Sequence, residues 1–180
     1  MFGCSRFAVS ETIQHLVLSK VKFQKSSLIE SNFYKINLTD VVFENSNLSN
    51  SSWTDGSIHR VHFKNSKLVG VDFSKTSLGN VIFENCTMQF CNFGDARLKQ
   101  VAFIDCTLKS ATFYDCLFNK VKFDNCNIDD VDFSDTSLKG IDISTSTFET
   151  LRVNERDWIG CEVSPEQAIS FARLMGLIVK

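Results

Sequence analysis

From Ile13 to Trp158 a bulky apolar residue returns at every fifth position, 30 times without a miss. A period of five is neither the 3.6 of a helix nor the unbroken 2 of a long strand. Two residues before each of these positions the chain is regular again, but small: from Val21 to Ser146 it holds Val, Ser, Thr, Cys, Ala or Gly, with only Ile36 and Ile141 larger. In the unit Val81-Ile82-Phe83-Glu84-Asn85, Val81 and Phe83 are two apart and share one face of an extended segment, while Ile82 points away. Glu84 and Asn85 must then turn the chain, because Cys86 and Met88 restart the same pattern. Each pentad is therefore predicted to be a short strand plus a corner.

A second period closes the figure. Val21, Val41, Val61, Val81, Val101 and Val121 recur at a spacing of 20, each followed by Phe two residues on, and so do Ser26, Ser46, Ser66, Cys86, Cys106 and Cys126. Four pentads make a four-sided coil that returns above its start, where like side chains stack at about 4.8 Å. The pentads amount to about 7.5 coils and a rod about 36 Å tall at that spacing. Its interior is filled by stacked side chains and leaves no room for a ligand or channel.

Units such as Val71-Asp72-Phe73-Ser74-Lys75, with Ala96-Arg97-Leu98-Lys99 and Ser137-Leu138-Lys139, resemble those of the pentapeptide-repeat family over about residues 11–158. That resemblance implies an all-β solenoid, a right-handed quadrilateral β-helix, and the hand agrees with the general preference for right-handed parallel crossovers. The expected organisation is a cap or start of the first coil over 1–12, the β-helix over 13–160, and a C-terminal helix and tail over 161–180.

Beyond Trp158 the period stops and Ser164-Pro165-Glu166-Gln167 reads as a helix start: Ser as N-cap, Pro in the first turn, Gln three residues after the cap. The helix is expected to run to about Met175, with Gly176 as its stop. A solenoid needs a cover for its last coil. A cover uses one face, yet Ile169, Phe171, Ala172, Leu174, Met175, Leu177 and Ile178 make the segment apolar nearly all round, so these residues are the candidate interface of a homodimer. Asp157-Trp158-Ile159-Gly160-Cys161-Glu162-Val163 with Gln167-Ala168 and Arg173-Leu174-Met175-Gly176-Leu177 is similar to the ends of the family's quinolone-resistance and topoisomerase-protection branch. The likeness implies two rods joined end to end by the helix, imitating B-form DNA to engage DNA gyrase or topoisomerase IV. Loops project from the rod in some members of that branch; here no insertion breaks the period.

Charge bears on the mimic. The net charge is −2, but residues 1–60 carry five acids and six bases, 61–120 five and seven, and 121–180 eleven and six. Asp124, Asp129, Asp130, Asp132, Asp135, Asp142 and Glu149 are the candidate partner-binding residues, because a dimer joined at the helix doubles this acidic zone at its centre. Asp and Asn also suit corner positions in any such repeat. Glu44, Lys64 and Glu84 alternate along one column as ordinary cross-coil pairing. Phe90, Ile104, Tyr114, Leu117 and Tyr34 break the outward polar rule, and the stretch from 90 to 117 is a candidate contact patch. Gly56 is expected to make room for Trp53.

Candidate chemistry is sparse. Among the seven cysteines, Cys86, Cys91, Cys106, Cys116 and Cys126 take the small inward position, where a thiol packs as a small hydrophobe, and no metal-site spacing occurs. His59 and His62 flank Arg60 on an outward face. Without a phosphate loop, a nucleophile elbow or a cleft that would desolvate a carboxylate, the sequence reads as a non-enzyme without a cofactor. One domain, no linker, no membrane span and no signal peptide read as a cytoplasmic protein that touches neither membrane nor nucleic acid directly. Two functions remain: a topoisomerase-protection protein, or a structural or adaptor rod, including an effector scaffold, for an unrelated protein.

Overall fold

The computed structural model describes residues 12–174 and 176–179, so all but the last residue of the expected N-terminal cap over 1–12, with Cys4, and also Met175 and Lys180 lie outside the described residues. Parallel pairing at a spacing of 20 runs from Thr12↔Asn32 to Asp142↔Glu162. The four sides are centred on Phe23 to Ile143 (first), Leu28 to Phe148 (second), Phe33 to Val153 (third) and Leu38 to Trp158 (fourth). Strands Val17–Gln24, Asn37–Glu44, Ser57–Lys64, Ser77–Glu84 and Arg97–Ile104 each cross from the fourth side to the first and stack into one sheet. The second and third sides are held mostly by single bridges such as Asn47↔Lys67 and Asp72↔Asn92, with short ladders on the third side where Thr12–Gln14 pairs with Asn32–Tyr34 and Val131–Asp132 with Leu151–Arg152.

Corners are made by the backbone. Every fifth residue from His15 to Gly140 has φ between 48° and 72°. That left-handed conformation disfavours side chains other than those of Gly, Asn and Asp, which explains Asn45, Asn65, Gly70, Asp95, Asp105 and Asn125 at this place in the unit. Phe90 (φ 59°) is the bulkiest residue there and is 62% exposed. Its ring gains little from packing while its backbone is strained, so Phe90→Asn is expected to stabilise the fold by about 1 kcal/mol in chemical denaturation. A loss of stability would mean that the ring packs more than its exposure indicates.

Inside, two aromatic columns meet. Phe43, Phe63, Phe83 and Phe103 stack face to face at 4.8–5.1 Å along the first side. Phe73, Phe93 and Phe113 stack along the third at 4.6–5.0 Å, and the two columns touch edge to face. Leucines predominate on the other two sides, with Ile58, Met88, Phe118 and Ile128 among them. The small inward column explains its own chemistry: Ser26 N donates to Ser46 Oγ (3.2 Å) and Ser46 N to Ser66 Oγ (3.0 Å), so a corner amide is met by the hydroxyl one coil above. Gly56 makes room differently from expectation. A Cβ there would lie 2.9 Å from the Trp53 carbonyl oxygen and 3.1 Å from Cγ2 of Ile36, one of the two oversized residues of the small column. Gly56 thus compensates for Ile36 one coil below, and Trp53 is accommodated by donating Nε1–H to Ser51 Oγ at 2.7 Å.

The apolar period is unbroken to Trp158, but the corner geometry is not. Thr145, Thr150 and Glu155 leave the left-handed region, which returns at Gly160 (φ 81°). Ser110 N donates to Asp129 O, whereas one coil up Asp130 N donates to Thr150 O, one residue further on. The coil then continues past residue 160 to the bridge at Glu162, and the helix Pro165–Leu174 follows.

Candidate partner-binding surface

The structure divides the seven candidate acids. Asp129, Asp130 and Glu149 stand on the second side, and Asp132 and Asp135 on the adjoining third. Asp124 and Asp142 lie on the first side and do not join them. The cluster is threaded by cations. Lys109 Nζ lies 2.9 Å from Asp129, Arg152 lies 3.4 Å from Asp130 and 3.7 Å from Asp132, and Arg156 pairs with Asp135. Asp129 also accepts the backbone N–H groups of Glu149 (3.0 Å) and Thr150 (3.1 Å) at the altered corner. The Lys109 hydrogen bond and these amides hold its carboxyl down at about 2, so it stays ionised into strong acid. Asp129 is therefore structural as well as superficial. Thirds of the sequence could not reveal this, because Arg152 and Arg156 enter such a sum without their positions.

Asp95 and Asp115 were not singled out from the sequence, yet they line up with Asp135 at the corner between the third and fourth sides. Asp135 first, and burial next, push the Tyr114 hydroxyl above the ordinary phenol range. The fifth-residue frame places all three acids in one column, so the 20-residue period carried the signal. The outward apolar residues do not form the single patch expected: Phe90 is at the second corner, Ile104 on the first side, Tyr114 on the third and Leu117 on the fourth. Only Tyr114 and Leu117 are neighbours, flanking Asp115. Phe90, Tyr114 and Leu117 are exposed, while Ile104 and Tyr34 are half-buried.

At the end of the rod, Ser164 and Gln167 form the expected capping box: Gln167 N donates to Ser164 Oγ (3.2 Å) and Ser164 N to Gln167 Oε1 (2.8 Å). Gln167 Nε2 reaches further, donating to the carbonyls of Ile143 (2.8 Å) and Ser146 (2.7 Å) in the last coil. Phe171 packs edge-on against Phe148 (5.4 Å) and Trp158 (4.9 Å). Gly176 (φ 82°) ends the helix, with Leu177 N donating to Ala172 O and Gly176 N to Arg173 O. Of the candidate dimer residues, Phe171 belongs to the covering face. Ala172 is half-buried in an open apolar groove of about 270 Å³ with Trp158, Val163 and Ala168. Ile169, Leu177 and Ile178 are exposed, Ile178 at 89%. The side chains of Leu174 and Met175 lie outside the described residues.

The remaining polar candidates are accounted for locally. His62 Nε2 is 2.9 Å from Glu84, which Lys64 also meets at 2.9 Å, and Glu44 pairs with Lys22 at 2.8 Å. The five inward cysteines are buried; the neighbouring Cys106 thiol, and burial next, push Cys86 and Cys126 well above the ordinary thiol range, and each of the three thiols donates to a backbone carbonyl. Burial raises Cys116 to about 12. No grouping of His, Cys, Asp and Glu among the described residues has the geometry of a metal site.

Two family descriptions match the chain: pentapeptide repeats in eight copies over residues 17–55, and a pentapeptide repeat region over residues 56–133. No curated protein matches it significantly in sequence. Among solved structures it is similar to a trypsin-treated variant of QnrB1, a plasmid-mediated fluoroquinolone resistance protein. The identity is 13% over 92% of this chain and 99% of that one, with a TM-score of 0.48. It is also similar to HetL of the cyanobacterium Nostoc sp. strain PCC 7120, involved in heterocyst differentiation regulation, at 15% identity over 84% of each chain and a TM-score of 0.39. A pentapeptide repeat protein of the Arabidopsis thaliana thylakoid lumen matches at 21% identity over 71% of this chain and 70% of that one, with a TM-score of 0.36.

Proposed function

The chain belongs to the pentapeptide-repeat family, and we propose that this member is a non-enzymatic cytoplasmic rod that binds DNA gyrase or topoisomerase IV as a DNA mimic, protecting it from quinolones or other poisons. The observation that carries the reading is the gathering of Asp129, Asp130, Asp132, Asp135 and Glu149 on two adjoining sides, within two coils of an apolar helix end. Exposed Ile169, Leu177 and Ile178 give that end a surface for a second copy, and a dimer joined there places two acidic clusters about its centre. A second reading, an adaptor rod for another protein, is favoured by Lys109, Arg152 and Arg156 inside the cluster, which weaken its resemblance to a polyanion.

Gyrase supercoiling and topoisomerase IV decatenation, each with a quinolone and rising amounts of the rod, separate the two. Protection of either enzyme is expected, and the variant Asp130→Lys/Asp132→Lys/Glu149→Lys is expected to weaken it roughly tenfold or more. Asp129 is left in place because it holds the altered corner. Reversing Lys25 and Lys35 in the lower coils should change nothing. An inactive parent on both enzymes, or a folded triple variant as active as the parent, would remove the mimic reading.

A further inference from the structure

We propose that the edge where the fourth side turns into the first, in the upper half of the rod, is a docking surface for the phosphate backbone of duplex nucleic acid. Arg97, Lys99, Lys120, Lys122 and Lys139 converge there. Arg97 and Lys99 flank inward Leu98 on one strand, Lys120 occupies a left-handed corner (φ 55°), and Lys122 stacks on Ala102 just beyond it. Lys99 pairs in register with Asn119, and Lys139 follows one coil higher in the same column. All five are exposed, and none makes an ion pair among the described residues.

Elsewhere cations are either paired or isolated: Lys25 and Lys67 make no ion pair among the described residues but stand alone in their columns, and Lys35 and Lys75 are separated by Asp55 in theirs. Lower on the same edge Arg60 forks onto Asp40 at 2.6 and 3.0 Å. Across the rod, Lys109, Arg152 and Arg156 are all engaged by aspartates. Unpaired positive charge is thus densest on one edge of about three coils, bordered on the first side by Asp124 and Asp142, while Asp129, Asp130, Asp132 and Glu149 collect on the far side, a transverse polarity hidden by a net charge of −2.

The shape selects the partner. Strands and tight corners form this edge, and no helix or loop projects from it to enter a groove, so it can meet phosphates but not read bases. Its exposed apolar residues are Leu117 and, above Lys139, Ile159, and no exposed aromatic offers the stacking platform that single strands require. Two coil spacings cover about 10 Å, roughly three phosphates at the 3.4 Å rise of one DNA strand. The inference goes beyond the topoisomerase reading, which uses the opposite side and needs no nucleic-acid contact.

The test is fluorescence anisotropy of a labelled mixed-sequence DNA duplex titrated with the intact chain between about 50 and about 200 mM salt. Binding is expected at low salt, with log K falling against log salt at a slope of about −2.7 to −3.6, as for three or four neutralised phosphates. Lys99→Glu/Lys120→Glu/Lys122→Glu should reduce affinity roughly tenfold or more with an unchanged melting temperature, and Glu149→Lys should not reduce it. No binding at the lowest salt, a salt-independent affinity, or equal binding by the folded triple variant overturns the proposal. So does low-salt self-association without DNA that the same triple variant abolishes, since the occupant is then the acidic side of a second copy.

Discussion

Phe83→Ala is expected to lower the unfolding free energy by about 3–5 kcal/mol, at the upper end of single core substitutions. The ring is fully buried, stacked on Phe63 at 4.8 Å and Phe103 at 5.0 Å, and met edge-on by Phe73 at 6.0 Å and Phe93 at 6.2 Å. Removal deletes four aromatic contacts as well as buried area. The site cannot collapse to fill the space, because the backbones above and below are fixed by the register Val61↔Val81↔Val101. A cavity that persists costs more than one that closes. Phe23→Ala, at the half-buried start of the same column, should cost clearly less. Urea denaturation of both variants is the measurement. Equal losses, or a loss near zero at Phe83, would contradict the stacked column.

Much of this column was legible in the sequence because the two periods, five and twenty, constrain every inward side chain. The spacing of Phe63, Phe83 and Phe103 alone predicts who stacks on whom. The left-handed corners were less visible. Lys20, Lys35, Gln100 and Phe90 adopt the same conformation as Asn45 or Gly70, since the coil imposes it regardless of residue preference. The relaxed corners at Thr145, Thr150 and Glu155 left no trace in the apolar frame, because that frame reports the inward residues while the change is in the turn residues. Nor did residue type signal it, since the five consecutive corners from His15 to Lys35 also lack Asn, Asp and Gly and are all left-handed.

The surface was legible only in part, for a geometric reason. A 20-residue period converts proximity in sequence into separation around the rod, so Phe90, Ile104, Tyr114 and Leu117, close along the chain, fall on different sides or corners. Conversely, Asp95, Asp115 and Asp135, spread over forty residues, share one edge. Charge summed over segments blurs what columns resolve: the same upper coils carry the unpaired Lys99, Lys120 and Lys122 on one edge and the Arg152-bridged aspartates on the other.

Gln167 is where the helix and the solenoid become one structure, and its loss should have the second large effect. Its amide oxygen accepts from Ser164 N, while its amide nitrogen donates to Ile143 O and Ser146 O, carbonyls at the top of the last coil. Among the described residues no buried side-chain nitrogen or oxygen lacks a partner, so the end of the rod is sealed by this one amide together with Phe171. Gln167→Leu keeps the volume but strands the buried Ser146 carbonyl and the half-buried Ser164 N–H, while Ile143 O still accepts from Ser146 N at 2.9 Å. At about 1–3 kcal/mol for a buried group left unsatisfied, with the half-buried amide partly rescued by solvent, a net loss of about 1–3 kcal/mol is expected. Gln167→Glu asks a sharper question. An ionised carboxylate would face two carbonyl oxygens, so its folded pKa must rise above the unfolded value of about 4.3. The contact is then retained below that pH, where the protonated acid donates to one carbonyl, and is lost as pH rises through the raised folded pKa. Denaturation midpoints of Gln167→Glu should therefore fall toward neutral pH relative to the parent, while those of Gln167→Leu keep a constant offset. A Gln167→Glu variant that tracks the parent at every pH would show that the helix is held by its apolar face alone.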